Sequence, residues 1–221
     1  MKSWKGVKGL ETIRPYRSDL RAEQARATRR AVVDAASQLF VARGYAGTTI
    51  DAVADKAGVS RKTVFTAVGG KPMLLKLAWD WALVGDDEPV DMASRPELAE
   101  LQAQSDPPVL VRQWAHFIAP IASRLAGLDQ VLADAGRSDP EIADLYAESE
   151  RNRRGGALSF VTRLQAVGGL REGVTVDRAA DVVEVLMDPM PYQRLVRGAG
   201  WTDEEYADWL QVCVTATLLP R

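Results

Sequence analysis

The sequence has few of the residue types that build catalytic and metal sites. Among its 221 residues there is one histidine, His116, and one cysteine, Cys213. A single cysteine excludes an intrachain disulfide. The only histidine is far from it in sequence, and no histidine, cysteine and aspartate residues have the spacing of metal ligands. The Gly-Gly pairs at 69–70 and 155–156 are isolated, without the surrounding pattern of a phosphate-binding loop. We therefore predict that the protein is not an enzyme and that it holds no metal and no cofactor.

Long hydrophobic runs are absent as well. No stretch approaches the ~20 apolar residues of a membrane-spanning helix, and the first residues lack the apolar core of a secretion signal. With 47% hydrophobic residues the chain can still bury a substantial core. Cys213 falls on an apolar helical stripe, where we predict a buried packing residue. We expect a soluble, cytoplasmic protein without a membrane partner.

Lysine is missing beyond Lys76, and this absence marks a division of charge. Residues 1–76 hold 15 basic and six acidic residues, a balance of +9. Residues 77–221 hold 13 arginines and 24 acids, a balance of −11, so the net charge of −2 hides the division. A basic module joined to an acidic one is typical of a DNA-binding domain attached to a domain that does not bind DNA.

Residues 31–71 carry the strongest local pattern, that of a helix-turn-helix. Apolar residues spaced three and four apart indicate a first helix that ends at Gly44. Thr49 is placed to cap a second helix of about two turns, which Gly58 closes. Ser60 then caps a third short helix. The sequence therefore predicts three helices joined by tight turns.

The third helix has two different faces. Val64 and Val68 are predicted to point inward, whereas the outer positions are polar or basic. A recognition helix needs this division, because its buried side positions it while its outer side reads the major groove of DNA. A helical hairpin with a merely solvated face is the alternative. The outer positions are Arg61, Lys62, Thr63 and Thr66.

An ordered series of short elements extends from Thr28 to Leu75. Its members are Ala35-Ala36, Leu39-Phe40, Gly44-Tyr45, Thr48-Thr49-Ile50, Val53-Ala54, Ala57-Gly58-Val59-Ser60, Thr63-Val64-Phe65 and Lys71. This series resembles the N-terminal domain of TetR-type transcriptional repressors. The chain departs from the family at Phe65, where a tyrosine is usual, and at Ala67 and Val68. Pro72 replaces the usual acidic residue, although proline suits the first turn of a helix.

The resemblance implies an all-α protein with an N-terminal three-helix, helix-turn-helix DNA-binding domain and a larger C-terminal helical domain for regulation and dimerisation. The implied partners are double-stranded DNA with a palindromic operator, a second copy of the chain and a small-molecule effector, and a repressor is favoured over an activator. The predicted DNA-binding residues are Thr48, Thr49, Ser60, Arg61, Lys62, Thr63, Phe65, Thr66 and Lys71. Among these, Thr48 or Thr49 and Lys71 are predicted to hold phosphates.

The predicted domains are 1–25, 26–71 and 72–221. Residues 1–25 show no sustained periodicity and are rich in lysine and arginine. They are interpreted as a flexible arm that adds phosphate or minor-groove contacts. A tail without contacts is the alternative, and from Ser18 onward the run is compatible with a helix. Residues 26–71 form the DNA-binding domain, and 72–221 the ligand-binding and dimerisation domain.

Helical patterns continue beyond Lys71 almost to the C-terminus, and no segment shows the two-residue alternation of a sheet. Helix starts are predicted at Pro72, after Pro96, at Pro107, at Asp139, near Thr175 and at a capping box of Thr202 and Glu205. The helix at Pro107 is expected to reach Leu125, followed by a short element at 128–135. The helices at about 175–199 and 202–219 resemble those that pair two TetR-type subunits. An intramolecular core is the other interpretation of their apolar stripes.

The helix that starts at Pro107 holds the candidate effector site. Pro120 removes an amide donor, so we expect a kink beside the carbonyl of residue 116. A pocket here favours a ligand-responsive regulator. Without one, the chain is a helix-turn-helix protein with no small-molecule input, either architectural or controlled by a protein partner, and these side chains are ordinary core. The candidate ligand-binding residues are Trp114, His116, Phe117, Met187, Met190 and Tyr192.

Overall fold

The structure is a computed structural model that describes residues 14–88, 90 and 92–220. Within these residues it contains α-helices, one 3-10 turn (Met92–Ser94), one π-helical turn (Gln193–Gly198) and no β-strand, which confirms the all-α prediction. The helices are α1 (Arg14–Gly47), α2 (Ile50–Ala57), α3 (Arg61–Ala67), α4 (Lys71–Val84), α5 (Pro96–Ala103), α6 (Pro107–Gly136), α7 (Pro140–Ala166), α8 (Val176–Leu186), α9 (Pro189–Tyr192) and α10 (Asp203–Leu218).

Helices α1 to α3 form the predicted helix-turn-helix, and α2 and α3 begin directly after their predicted caps. Thr49 Oγ1 accepts a hydrogen bond from the Ala52 amide at 3.1 Å, and Ser60 Oγ accepts one from the Thr63 amide at 3.1 Å. Gly58 closes α2 with φ +67°. At Gly44 the backbone leaves the helical conformation with φ +70°, and the chain then continues as the last turn of α1. Short side-chain caps thus fix the turn between α2 and α3.

Helix α1 begins earlier than the sequence pattern suggested. Residues 14–25 are helical, so the helix that the sequence allowed from Ser18 onward starts four residues earlier, and residues 1–13 lie outside the described residues. The run from 20 to 31 is rich in alanine, arginine, glutamate and glutamine, which have high helix propensity. It lacks the apolar stripe by which helices are recognised, because most of its side chains are exposed.

The helix-turn-helix does not have a core of its own. Its buried side chains, such as Phe40 and Val64, join a cluster that also contains Leu74 of α4, Leu132 of α6 and Ile142 of α7. A second cluster fills the space between α6, α7, α8 and α10. Two helices, α6 and α7, therefore contribute to both cores.

Helix α6 is longer than predicted. Its helical conformation continues through Pro120 and past Leu125, so the predicted separate element at 128–135 is wrong. A Cβ atom at Gly127 would lie 2.9 Å from the Cγ atoms of Val41, so this glycine permits the close approach of α1. The predicted apolar seam of α6 is buried as expected and consists of Val111, Trp114, Ala115, Ile118, Ala122 and Leu125.

The C-terminal segment at 175–199 is interrupted near Pro189 and Pro191, as these prolines predict. The chain forms α8, α9 and the π-helical turn there, with Asp188 capping α9. Helix α10 follows the prediction, and both hydrogen bonds of the Thr202–Glu205 capping box are present. Cys213 is half-buried rather than buried. In the described part of the chain, the helices lack the combination of length and apolar content that crossing a bilayer requires.

Candidate functional site

The outer face of α3 is open to solvent. Arg61, Lys62 and Thr66 are exposed, and the Phe65 ring is 47% exposed although it is apolar. On the opposite side Val64 is completely buried, as predicted. Helix α3 is held on the body of the protein by its inner side and offers basic, polar and aromatic groups on its outer side.

Arg61 is positioned by neighbours within the helix-turn-helix. Its Nη1 lies 2.7 Å from Oδ2 of Asp51 in α2, and its guanidinium lies 5.6 Å from the centroid of the Phe65 ring. Both members of the ion pair are more than half exposed, so the pair stabilises the fold by less than about 1 kcal/mol. Another hydrogen-bond acceptor can therefore replace Asp51 at little cost. Sequence reasoning did not identify this role of Asp51.

The threonine hydroxyls differ in their availability. Thr48 is 1% exposed and its hydroxyl donates to the Gly44 carbonyl at 2.9 Å, so it is the less accessible of the two threonines predicted to hold a phosphate. Thr49 is exposed at the start of α2. The Thr63 hydroxyl lies 2.8 Å from Ser60 Oγ, and the Thr66 hydroxyl donates to the Lys62 carbonyl.

Lys71, the first residue of α4, lies over the ring of Tyr45. Its Nζ is 4.1 Å from the ring centroid. Burial lowers the pKa of Lys71, and the charge of Asp139 opposes this shift. Burial also raises the pKa of Tyr45 to about 12, with smaller contributions from Asp139 and Glu141. The Tyr45 ring thus holds the ammonium group of Lys71 beside the turn that follows α1.

The C-terminal end of α4 is a junction between the two parts of the molecule. The Asp87 carboxylate accepts two hydrogen bonds from Arg26, at 2.8 and 2.9 Å, and also pairs with Arg30. Arg124 of α6 donates to the carbonyls of Ala82 and Leu83. The hydrogen bonds from Arg26 and Arg30 hold the pKa of Asp87 well below its usual range. Arginines from α1 and α6 therefore fix the end of α4.

A cavity of about 480 Å³ lies between α4, α5, α6 and α7. Its walls are mainly apolar, and Trp114 and Phe160 stack there with ring centroids 4.7 Å apart. The volume is in the range of drug-sized ligand sites. The side chains lining it include Trp79 and Leu83 of α4, Leu101 of α5, Leu110, Phe117, Ile121 and Asp129 of α6, Arg153 and Phe160 of α7, and Met187.

Three of the predicted ligand-binding residues line this cavity, namely Trp114, Phe117 and Met187. His116 does not, because two residues along a helix rotate a side chain by about 200° from the inward-facing position of residue 114. Its ring is exposed and its Nδ1 lies 2.9 Å from the Arg112 carbonyl. Met190 is 40% exposed.

Tyr192 is buried, but away from the cavity. Its hydroxyl is hydrogen bonded to Asp203 and Ser123, and its ring packs edge-on against Tyr206. The predicted placement of His116, Met190 and Tyr192 in the cavity wall is therefore wrong. The sequence pattern had missed Trp79, Asp129 and Arg153, which come from three different helices. Across the described ranges, no group of three or more histidine, cysteine or acidic side chains is arranged to hold a metal ion.

Comparison with known proteins identifies the helix-turn-helix. Residues 32–76 match the family model of bacterial regulatory proteins, tetR family. Over 77 residues the chain is 35% identical to TtgW, an uncharacterized HTH-type transcriptional regulator of Pseudomonas putida, and 35% identical to the HTH-type transcriptional regulator SrpR of the same species. Each match covers 35% of this chain, 54% of TtgW and 34% of SrpR. The chain thus matches about half of one relative and a third of the other.

Solved structures extend the similarity to the whole fold. The SmeT–triclosan complex superposes with a TM-score of 0.66 at 20% identity, over 87% of this chain and 92% of SmeT. The transcriptional regulator FadR from Bacillus subtilis, in complex with stearoyl-CoA, superposes with a TM-score of 0.62 at 16% identity, over 84% and 97%. At these identities the likeness shows the fold alone. Together with the match of residues 32–76, it shows a helix-turn-helix of the tetR family on a chain that has the fold of these solved structures.

Proposed function

We propose that this protein is a homodimeric repressor that binds a palindromic operator and is released by a small-molecule ligand. One observation carries the proposal: helix α4 begins at the DNA-binding face with Lys71 and lines the cavity with Trp79 and Leu83. A ligand that fills the cavity therefore touches the helix that supports the helix-turn-helix. The cavity favours this function over that of an architectural or partner-controlled DNA-binding protein.

The outer face of α3 is assigned to the major groove. Arg61 and Lys62 bind guanine edges or phosphates, Phe65 packs on a thymine methyl group, and Thr66 contacts a base edge. Thr63 takes part through its hydroxyl, which it shares with Ser60, the cap of the helix. Thr49 and Lys71 flank this face and bind phosphates, which fixes the register of α3 on the duplex.

Dimerisation is assigned to α8 and α10. Val185 on α8 is 67% exposed and Val212 on α10 is 63% exposed, the two most exposed large apolar side chains among the described residues. An α3 of seven residues contacts few base pairs, so a second copy on a second half-site supplies affinity and specificity. A dimer that buries these valines explains both features.

Release follows from the effect of the ligand on α4. The end of this helix is tied to α1 by Arg26 and Arg30 and to α6 by Arg124. A movement of α4 changes the separation of the two α3 helices in the dimer. The ligand shifts the population only if it binds more tightly to the separation that does not fit the operator.

The test is selection of bound fragments from a random duplex pool, followed by footprinting and by a screen for compounds that release the protein from the selected site. We expect a near-palindromic footprint and at least one releasing compound. Trp114→Ala should retain DNA affinity and lose release. His116→Ala is the matched control, because this side chain lies on the outer face of the same helix and should leave release unchanged.

Three results would contradict the proposal. One is a footprint without two-fold symmetry, and another is binding with no sequence preference, as expected of an architectural protein. The third is a compound that releases the protein equally well from the wild type and from the Trp114→Ala variant, because such a compound acts outside the cavity.

A further inference from the structure

The cavity is not uniformly apolar. At one end it is lined by Asp129 of α6, Trp79 of α4 and Arg153 of α7, with the Ser149 hydroxyl nearby. Ser149 donates its proton to the Tyr146 carbonyl at 2.8 Å, so its oxygen can accept but has no proton left to donate. This polar end, defined by Asp129, Trp79, Arg153 and Ser149, determines which ligand head group the cavity accepts.

Asp129 lacks a cationic partner. In the part of the chain that the structure describes, no basic nitrogen lies within 4.0 Å of its carboxylate. The positive charge that most stabilises the Asp129 carboxylate is that of Arg153. Its guanidinium, however, is paired with Glu150 and lies 3.4 Å from Asp188. Burial raises the pKa of Asp129, and the charge of Arg153 opposes this shift more than any other neighbour. A carboxylate facing a cavity without a counter-ion is costly, because desolvation penalises its charged form.

Trp79 contributes both a dipole and a π face to this end. Its Nε1 is buried and forms no hydrogen bond of regular geometry among the described residues. The N–H dipole nevertheless acts on Asp129 and favours its charged form. The aromatic rings that continue the wall are Trp114, Phe117 and Phe160. A positive head group beside Asp129 would therefore also meet aromatic faces, which attract cations.

The other arginines of the cavity wall do not make the polar end attract an anionic ligand. Arg163 donates to the Gln104 carbonyl at 2.7 and 3.1 Å, so its guanidinium is occupied by the loop that precedes α6. Arg151 is exposed to solvent at the rim. An anionic ligand would have to place its charge near Asp129, Asp188 and Glu150. A neutral ligand would leave Asp129 desolvated and without a counter-ion.

This inference rests on the ligand-released repressor proposed above. We infer that the effector is a lipophilic organic cation. Its aromatic or alkyl body lies in the apolar part of the cavity, and its ammonium head group lies against Asp129. The cavity volume of about 480 Å³ accommodates a ligand of drug size. The inference names the ligand chemistry that the polar end recognises, and it assigns Asp129 as the residue that determines charge specificity.

The test compares three probes with the same body and different head groups: phenylhexylamine, phenylhexanol and phenylhexanoate. Their binding to the full-length protein without DNA is measured by calorimetry and by tryptophan fluorescence. We expect the amine to bind at least tenfold more tightly than the alcohol, and the carboxylate to bind most weakly. Asp129→Asn should reduce the affinity for the amine to that for the alcohol and change the affinity for the alcohol less than twofold.

Asp134→Asn is the matched control, because Asp134 lies on the same helix but is exposed and outside the cavity. It should leave all three affinities unchanged. If Asp129→Asn does not fold, the order of the three probes with the wild-type protein still decides. Tighter binding of the carboxylate or the alcohol than of the amine overturns the inference. So does failure of the amine to bind at millimolar concentration, or an amine preference that survives in Asp129→Asn.

Failure of the inference is distinguishable from failure of the proposed function. Amine binding that depends on Asp129 but does not change the affinity for the selected operator supports the charge specificity and contradicts ligand release. Release by neutral or anionic compounds in a Trp114-dependent manner supports the repressor and overturns the cationic effector.

Discussion

The helix-turn-helix and the cavity are built in opposite ways. The helix-turn-helix is determined by neighbours in sequence: Thr49 and Ser60 cap the helices that follow them, and Arg61 pairs with Asp51 ten residues away. The cavity brings together Trp79, Asp129 and Arg153, which lie on three helices far apart in sequence. The contrast explains how one part can be read from a short motif while the other depends on the folded chain. It also predicts that substitutions in the two parts separate stability, DNA affinity and ligand response.

The largest expected effect on stability comes from Phe40→Ala. Phe40 is completely buried in the core beneath the helix-turn-helix, so truncation should lower the free energy of unfolding by about 3 to 5 kcal/mol. Phe160→Ala should cost less, because one side of that ring borders an existing cavity. Urea unfolding of both variants measures the difference. Equal losses would show that the cavity wall is packed as tightly as the other core.

Val212→Asp should have the next largest effect, on assembly. At a position that is 63% exposed the charge costs a monomer little, but in a dimer interface it must be desolvated. We expect the dimer dissociation constant to rise on the order of a hundredfold, or about 2.7 kcal/mol, with a parallel loss of operator affinity. Analytical ultracentrifugation measures the change. Val90→Asp makes the same change on a loop and should leave assembly unaltered; an unchanged dimer in Val212→Asp would refute the assigned interface.

Arg61→Ala and Lys71→Ala should weaken DNA binding in different ways. If Arg61 reads a guanine, its loss should cost about 1 to 3 kcal/mol and relax the preference at one base pair. Lys71→Ala should weaken binding to all DNA sequences alike, and it should reduce the slope of log affinity against log salt concentration by about one. Fluorescence anisotropy with the selected operator and with point-substituted duplexes distinguishes the two. Arg112→Ala on the exposed side of α6 is the control, and unchanged binding in both test variants would end the assignment of α3.

A pair of cap substitutions should have a smaller effect. Thr49→Ala and Thr202→Ala each remove a side-chain acceptor at a helix start, at a cost of about 1 kcal/mol of stability. Only Thr49→Ala should also lower DNA affinity, because Thr49 is assigned to a phosphate. Thermal unfolding and anisotropy on the same samples measure the two quantities. Equal DNA affinity in the two variants would remove Thr49 from the interface.

The smallest effect is expected at the junction of α4, and it depends on pH. Because Arg26 and Arg30 depress the pKa of Asp87, the charged carboxylate stabilises the fold above the pKa of an unfolded aspartate, about 3.9. This contribution is lost as the pH falls through the depressed value. Asp87→Asn should therefore lower the urea midpoint near neutral pH, and the difference from the wild type should shrink below about pH 4.

The control at this junction is Glu88→Gln. Glu88 is exposed and lies 3.7 Å from Arg26, beyond hydrogen-bond distance. Its substitution should change the urea midpoint less than Asp87→Asn does. A pH-independent difference between Asp87→Asn and the wild type would show that the ion pairs with Arg26 and Arg30 do not act on stability.

The sequence predicted features that depend on neighbouring residues. It did not predict those that depend on contacts between distant residues. Caps and apolar spacing located α2, α3 and α10, because these signals act within a few residues. The separate element predicted at 128–135 is part of α6, and only the fold shows that Val41 of α1 packs against Gly127 in this helix. The link of Asp87 to Arg26 joins residues 61 apart in sequence, and no local pattern indicates it. Likewise, the kink expected at Pro120 pointed to Trp114 and Phe117, which line the cavity, and to His116, which does not, but carried no information about Asp129.

The shared core has a practical consequence for protein engineering. Because Phe40 and Val64 pack in one cluster with Leu74, Leu132 and Ile142, a cut after residue 71 would leave the helix-turn-helix with an open hydrophobic surface. Chimeras that exchange sensing domains between regulators should fail if they are spliced at that residue. To be portable, the helix-turn-helix must bring with it α4, the last two turns of α6 and the first turn of α7, because all three pack against it although α6 and α7 come much later in the sequence.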